Sequence, residues 1–198
     1  MIEFKNDNKD APYIIFKEKY NDAIAADQKN IEAIAISTFN TEKDEVDSRY
    51  VNLKFIDNDK FIFFSNYNSP KSNAISSFNQ IGALLYWQAT NVQIRMKAKI
   101  SKTSTEFNKQ YFAKRSVDKN ALAISSNQSK NIESYDAILL KYQSVKDKED
   151  LHECPSYWGG FEFTPFYFEF WEGHDSRINK REVFSRINGN WKHYILEP

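Results

Sequence analysis

The chain has 198 residues, 27 Lys+Arg against 27 Asp+Glu, a formal net charge of +0, and 41% hydrophobic and 16% aromatic residues. That much apolar material at this length can bury a sizeable core, which excludes global disorder, and the balanced charge excludes a whole-chain field for nucleic acid or an anionic membrane. The single cysteine, Cys154, cannot form an internal disulfide; no apolar run nears the roughly 20 residues of a membrane span and residues 1–10 are polar, so a cytoplasmic protein with no membrane partner is expected.

In chain order, residues 1–11 read as a loose arm and 13–27 as a helix with Ile14, Ile15, Ala23 and Ala25 among its apolar positions. AIAISTF (33–39) is apolar and partly β-branched, a strand. The charged stretch 41–47 reads as a turn. Residues 49–56, with Val51, Leu53 and Phe55 alternating, read as a half-buried strand, and Asp57-Asn58-Asp59-Lys60 as a turn before the strand FIFFS (61–65). A loop over 66–70 precedes a short helix over 71–79, and 81–87 is another strand. From 91 to 100, Val92, Ile94, Met96, Ala98 and Ile100 alternate with Gln93, Arg95, Lys97 and Lys99, a strong period-two pattern. Residues 104–114 read as a helix capped by Thr103 or Ser104, with Glu106 in its first turn, and 134–146 as a second. Trp158-Gly159-Gly160 reads as a tight turn, 161–171 as an aromatic strand, and 182–187 and 191–196 as a hairpin around Asn188-Gly189-Asn190. Strands early, helices midway and strands again at the end predict a mainly β fold: an antiparallel, Greek-key-like barrel with outer helices, one unit over 1–198 with 1–30 as arm and helix.

No catalytic triad, P-loop or G-x-G-x-x-G is present, and His152, His174 and His193 lack metal-ligand spacing, so no metal site is expected. Any chemistry must then come from a cofactor. Candidate anion ligands recur beside the strands: Arg49 and Lys54, then Ser65, Ser69 and Lys71, then Gln93. Tyr111 and Arg115 share a helix face one turn apart, Gln128-Ser129 opens a loop, and Trp171, Arg177 and Arg181 lie near the C-terminus. Taken singly, each has an ordinary structural reading: a strand cation is usually a solvated face, an i,i+4 pair a surface contact, and Trp171 a core residue. The residues alone stop at an aromatic-rich barrel with several possible anion sites.

Ordered motifs go further. PSYWGGFEF (155–163), EFWEG (169–173), R-x-N-x-R (177–181) and the closing W-x-x-x-x-L-x-P (191–198) follow RYVNLK (49–54), FFSN (63–66), VQIR (92–95), YFAKR (111–115) and NQS (127–129). This series resembles the pyridoxamine 5′-phosphate oxidase family over about residues 33–198. The resemblance implies an FMN-binding split β-barrel that works as a homodimer with FMN at the interface. It also implies oxidation of pyridoxamine or pyridoxine 5′-phosphate to pyridoxal 5′-phosphate with O2 as acceptor. Carried over, Arg49, Lys54, Phe64, Ser65, Lys71, Gln93, Gln128, Ser129, Trp171 and Arg181 are the implied FMN contacts. Lys54, Tyr111, Arg115 and Lys119 are the implied grip on the substrate phosphate, and Arg177 and Asn179 the implied catalytic pair over the reacting face. Three positions depart from the family pattern. Pro70 stands where an arginine is usual and supplies no donor. Lys119 stands for a serine, and Asn179 for a histidine, which removes a titratable group. These departures leave two further readings, a split-barrel flavin oxidoreductase with another substrate and a non-catalytic module binding FMN or pyridoxal phosphate.

Overall fold

The computed structural model describes residues 1–148 and 150–198. Among the described residues the strands are β1 (Glu3–Asp7), β2 (Ala33–Asn40), β3 (Glu45–Asn58), β4 (Lys60–Asn66), β5 (Gln80–Trp87), β6 (Val92–Lys102), β7 (Trp158–Glu172), β8 (Lys180–Ile187) and β9 (Asn190–Ile195). The helices are α1 (Ala11–Ala25), α2 (Pro70–Ser77), α3 (Thr105–Ala113), α4 (Val117–Ser125) and α5 (Tyr135–Lys148). Strands β2, β3, β4, β7, β6 and β5 pair in that order and β5 returns to β2, which closes a ring. Two long strands make the split. β3 gives its first half to β2 and its second to β4, and β7 gives its first half to β4 and its second to β8. Strands β8 and β9 continue from β7 beyond the ring, and the fold is the mainly β split barrel that the sequence predicts.

The inner face is aromatic. Phe61 stacks on Phe163 at 5.2 Å, Phe63 on Phe161 at 5.5 Å and Phe168 on Phe170 at 5.8 Å between ring centroids. These six rings are essentially fully buried, each contributing about 1.5–3 kcal/mol of apolar transfer. In β6 the period-two pattern translates directly, with Val92, Ile94, Met96, Ala98 and Ile100 all inside. Helix α1 covers the barrel by setting Phe16 edge-on to Phe61 and Trp87. The seam between the chain's two ends is closed by Trp191, whose indole N–H donates to Asp10 Oδ2 at 3.0 Å while its ring meets Tyr13.

Several sequence expectations need correction. Residues 1–11 are no loose arm: β1 pairs with β3, in parallel, through Glu3↔Phe55 and Phe4↔Ile56. Phe4 packs on Tyr20, and Asn6 Nδ2 reaches Asp57 at 2.7 Å, so tertiary contacts hold a segment whose composition is polar. The first helix ends at Ala25, because Asp27 adopts a left-handed φ of 55°. The turn over 41–47 is shorter than expected, since β3 has begun by Glu45. Trp158-Gly159-Gly160 opens β7 and makes no turn. The glycines there admit close neighbours: a Cβ on Gly160 would lie 2.6 Å from Thr103 Oγ1, and one on Gly159 would fall on Tyr67 Oη and Asn108 Nδ2. Helix α4 was not foreseen, although Ser116 before it and Asp118 in its first turn are start signals.

Candidate active site

A cavity of about 660 Å³ opens between β3, β4 and the helices α2, α3 and α4. Its described lining carries the cations Arg49, Lys54, Lys71, Arg115 and Lys119 against the carboxylate of Asp47. Such an excess in a partly dehydrated cleft favours an anionic ligand, since each cation gains more from an anion there than in water.

One end is built by β3, β4 and the start of α2. Pro70 begins α2, where its fixed φ suits the first turn, and the following Lys71 is turned inward to 6% exposure. Lys71 Nζ donates to Ser65 Oγ at 2.8 Å and to Ser69 Oγ at 3.1 Å. Burial, and next the Arg49 charge, lower its pKa to about 8, opposed by Asp47. Arg49 Nη1 donates to Ile36 O at 3.1 Å and Thr38 Oγ1 at 2.7 Å, and its Nη2 pairs with Asp47. Gln128 Oε1 accepts from Ser65 Oγ and from the Asn66 N–H, which ties the 126–134 loop to β4, and Ser129 beside it has φ 66°.

The other end lies over an aromatic stack. Phe64 is parallel to Tyr111 at 4.0 Å and to Trp158 at 5.1 Å. Arg115 lies on Trp158, its guanidinium carbon 4.4 Å from the ring centroid, a cation–π contact that fixes the head group. Its Nη2 donates to Lys119 O at 3.4 Å, whereas its Nη1 is buried with no hydrogen-bond partner among the described residues. Burial lowers the Arg115 pKa from its ordinary value. Lys54 sits where β3 shifts register against β4, an irregularity that re-aims a side chain, and its pKa is lowered by burial first and then by Lys119 and Arg115. Asn120, fully buried, donates to Phe112 O and Leu151 O and so anchors α4, which carries Lys119.

Ten of the fifteen site residues that the family resemblance implies line this cavity: Arg49, Lys54, Phe64, Ser65, Lys71, Tyr111, Arg115, Lys119, Gln128 and Ser129. The other five lie elsewhere on the chain. Gln93, Trp171 and Arg181 are neighbours in register across β6, β7 and β8. Beside them Glu169, 2% exposed, accepts from Arg181 Nε at 2.9 Å and Tyr167 Oη at 2.9 Å and pairs with Arg95 at 2.6 Å. Arg177, with φ 61°, and Asn179 occupy the loop between β7 and β8, where Asn179 Oδ1 accepts from the His174 N–H at 3.0 Å. Sequence reasoning missed Asp47, Tyr50, Val51, Asn52 and Trp158 as cavity residues. Tyr50, Val51 and Asn52 flank Arg49 and Lys54 on the strand that the sequence marks, whereas Asp47 and Trp158 fall in stretches that read locally as turns.

The chain matches two family descriptions, "Pyridoxamine 5'-phosphate oxidase" over residues 17–149 and "Pyridoxine 5'-phosphate oxidase C-terminal dimerisation region" over 158–198. A pyridoxine/pyridoxamine 5′-phosphate oxidase of Nostoc punctiforme is 35% identical over 191 residues, covering 94% of this chain and 88% of that one. The enzyme of the same name from Coxiella burnetii is 30% identical over 98% of this chain and 100% of its own. Among solved structures, PhzG from Burkholderia lata 383, determined in complex with tetrahydrophenazine-1-carboxylic acid, superposes with a TM-score of 0.88 at 23% identity, covering 94% of this chain and 92% of that one. A pyridoxamine 5′-phosphate oxidase-related, FMN-binding protein of Nostoc punctiforme superposes at 0.79 and 12% identity, covering 96% and 99%. At those identities the two structures speak for the fold alone.

Proposed function

Since the chain belongs to the pyridoxamine 5′-phosphate oxidase family, we propose that it is an FMN-dependent oxidase converting pyridoxamine or pyridoxine 5′-phosphate to pyridoxal 5′-phosphate with O2 as acceptor. The observation that carries this reading is one cavity with two separate cation clusters joined by an aromatic stack, one at Lys71 and Arg49 and one at Arg115, Lys54 and Lys119. The first suits the cofactor's phosphate and the second the substrate's. The buried, unpartnered Nη1 of Arg115 supports the second, because such a donor is costly until an acceptor meets it. Bound FMN would supply the two-electron acceptor that no side chain of this protein offers. Lys71, Ser65 and Arg49 would hold its phosphate, with Phe64, Gln128 and Ser129 beside them. Arg115, Lys54, Lys119 and Tyr111 would fix the substrate by its phosphate, and that remote anchoring restricts the reacting carbon to a narrow set of positions.

In this reading the protein works as a homodimer, and residues 1–198 form one functional unit. Gln93, Trp171 and Arg181 then complete the cofactor site of the partner subunit, and Arg177 and Asn179 its catalytic face. Two observations support this. Four of the five lie within the matched dimerisation region. The same sheet face also exposes Tyr50 (75%), Leu84 (36%) and Tyr86 (51%), large apolar groups that a second copy would cover. Incubation of the FMN-loaded protein in air with each phosphorylated vitamer tests the activity: pyridoxal 5′-phosphate is expected, and none above a buffer control refutes it. A second reading, the same flavin chemistry on another substrate, is favoured by Asn179, which cannot titrate and whose Oδ1 is engaged by His174. Anaerobic bleaching of the flavin by non-B6 compounds alone would favour it.

A further inference from the structure

Asp47 and Arg49 leave β3 on the same face, two residues apart. Arg49 is fixed from behind, its Nη1 held by Ile36 O and Thr38 Oγ1, and the residue is 19% exposed. Its Nη2 is taken by the carboxylate of Asp47, which is 68% exposed and held by no other side chain among the described contacts. The guanidinium is therefore the static partner and the carboxylate the one that can swing. Asp47 also acts on Lys71, raising a pKa that burial and Arg49 lower. A phosphate entering this end needs the same two cations, and Pro70 adds no donor of its own.

We propose that Asp47 is a built-in competitor for the cofactor's phosphate, a carboxylate that occupies Arg49 Nη2 and must yield it when the phosphate binds. The proposal rests on the FMN reading and goes beyond it: Asp47 sets how readily the flavin is exchanged. A role for Asp47 in orienting Arg49 is the alternative, but Ile36 and Thr38 already perform that task. With Asp47 displaced but still nearby, its charge opposes that of the bound phosphate, so affinity is lower than Arg49 and Lys71 alone would give.

The test uses the full chain, stripped of flavin, and the variants Asp47→Asn, Asp47→Ser and Lys71→Met, titrated with FMN and with riboflavin by flavin fluorescence. Removing the carboxylate is expected to tighten FMN about tenfold, the size of one modest charge interaction, and to leave riboflavin unchanged; Lys71→Met is expected to weaken FMN. If Lys71→Met weakens FMN but both Asp47 variants leave it unchanged or weaker, the competitor role is overturned and the FMN reading stands. Equal tightening of riboflavin also overturns it, since riboflavin carries no phosphate. If the wild type shows no saturable FMN binding, both readings fail together.

Discussion

Substituting Gly159 by alanine probes the joint between β7 and the floor of the cavity. The added Cβ would fall on Tyr67 Oη and Asn108 Nδ2, so the tyrosine must move. Moving it breaks the bond from Tyr67 Oη to Gly160 O at 2.9 Å and that from Asn108 Nδ2 to Tyr67 Oη at 3.0 Å. Each is worth about 1 kcal/mol net, and forcing an extra methyl into a packed site adds about 1–3 kcal/mol. The expected loss is therefore about 3–5 kcal/mol. With a urea slope of about 2 kcal/mol/M, the unfolding midpoint should fall by roughly 1.5–2.5 M. The assay is equilibrium urea unfolding followed by tryptophan fluorescence and far-UV circular dichroism, with Tyr67→Phe as the comparator that loses the bonds without the added methyl. A midpoint shift below about 0.5 M for Gly159→Ala would refute the close-approach argument. Because Trp158 is the preceding residue and carries Arg115, affinity for a phosphorylated substrate should fall as well.

Further outcomes follow from the same site. Lys71 has its pKa pulled from 10.5 to about 8 in the folded chain, so between those values the unfolded chain holds the extra proton. Its contribution to stability therefore rises with pH across that window, while the anion affinity of the flavin-free protein falls as pH passes about 8. Urea unfolding of wild type and Lys71→Met at a series of pH values should show the wild type gaining on the variant; a constant difference counts against it. Arg115→Lys keeps the charge but loses the planar stack on Trp158, which should raise the apparent Kd for pyridoxine 5′-phosphate by about 10–30-fold with little change in unfolding midpoint. Glu169→Gln removes the charge partner of Arg95 and Arg181, whose 48% and 26% exposure screens the loss. A destabilisation of about 1 kcal/mol is expected, shrinking as salt is added, and salt-independent denaturation curves would contradict it.

The sequence was most legible where local pattern and tertiary demand coincide. The alternation from Val92 to Ile100 marks β6 because one face of that strand is buried and the other is not. Asn188 and Gly189 mark the last hairpin because both adopt positive φ, at 49° and 83°. Where the cause is distant in the chain, the pattern misleads. Glycine at 159 and 160 reads locally as freedom to turn, yet its use here is to admit Tyr67, Asn108 and Thr103. The polar segment 3–7 becomes a strand only because β3 offers it an edge. The site shows the same division. Ordered motifs identified residues that meet in one cavity, but the separation of Gln93, Trp171 and Arg181 from it depends on strand register, which the motifs do not carry.

The bond between Trp191 and Asp10 spans 181 positions, and it bears on how the protein is made. Synthesis must pass residue 191 before the start of α1 receives its last neighbours. Until then the ring of Tyr13 lacks its edge contact with Trp191, and that part of the barrel's cover is open to water. Nascent chains halted before residue 191 should therefore be the ones that chaperones hold and proteases cut near α1.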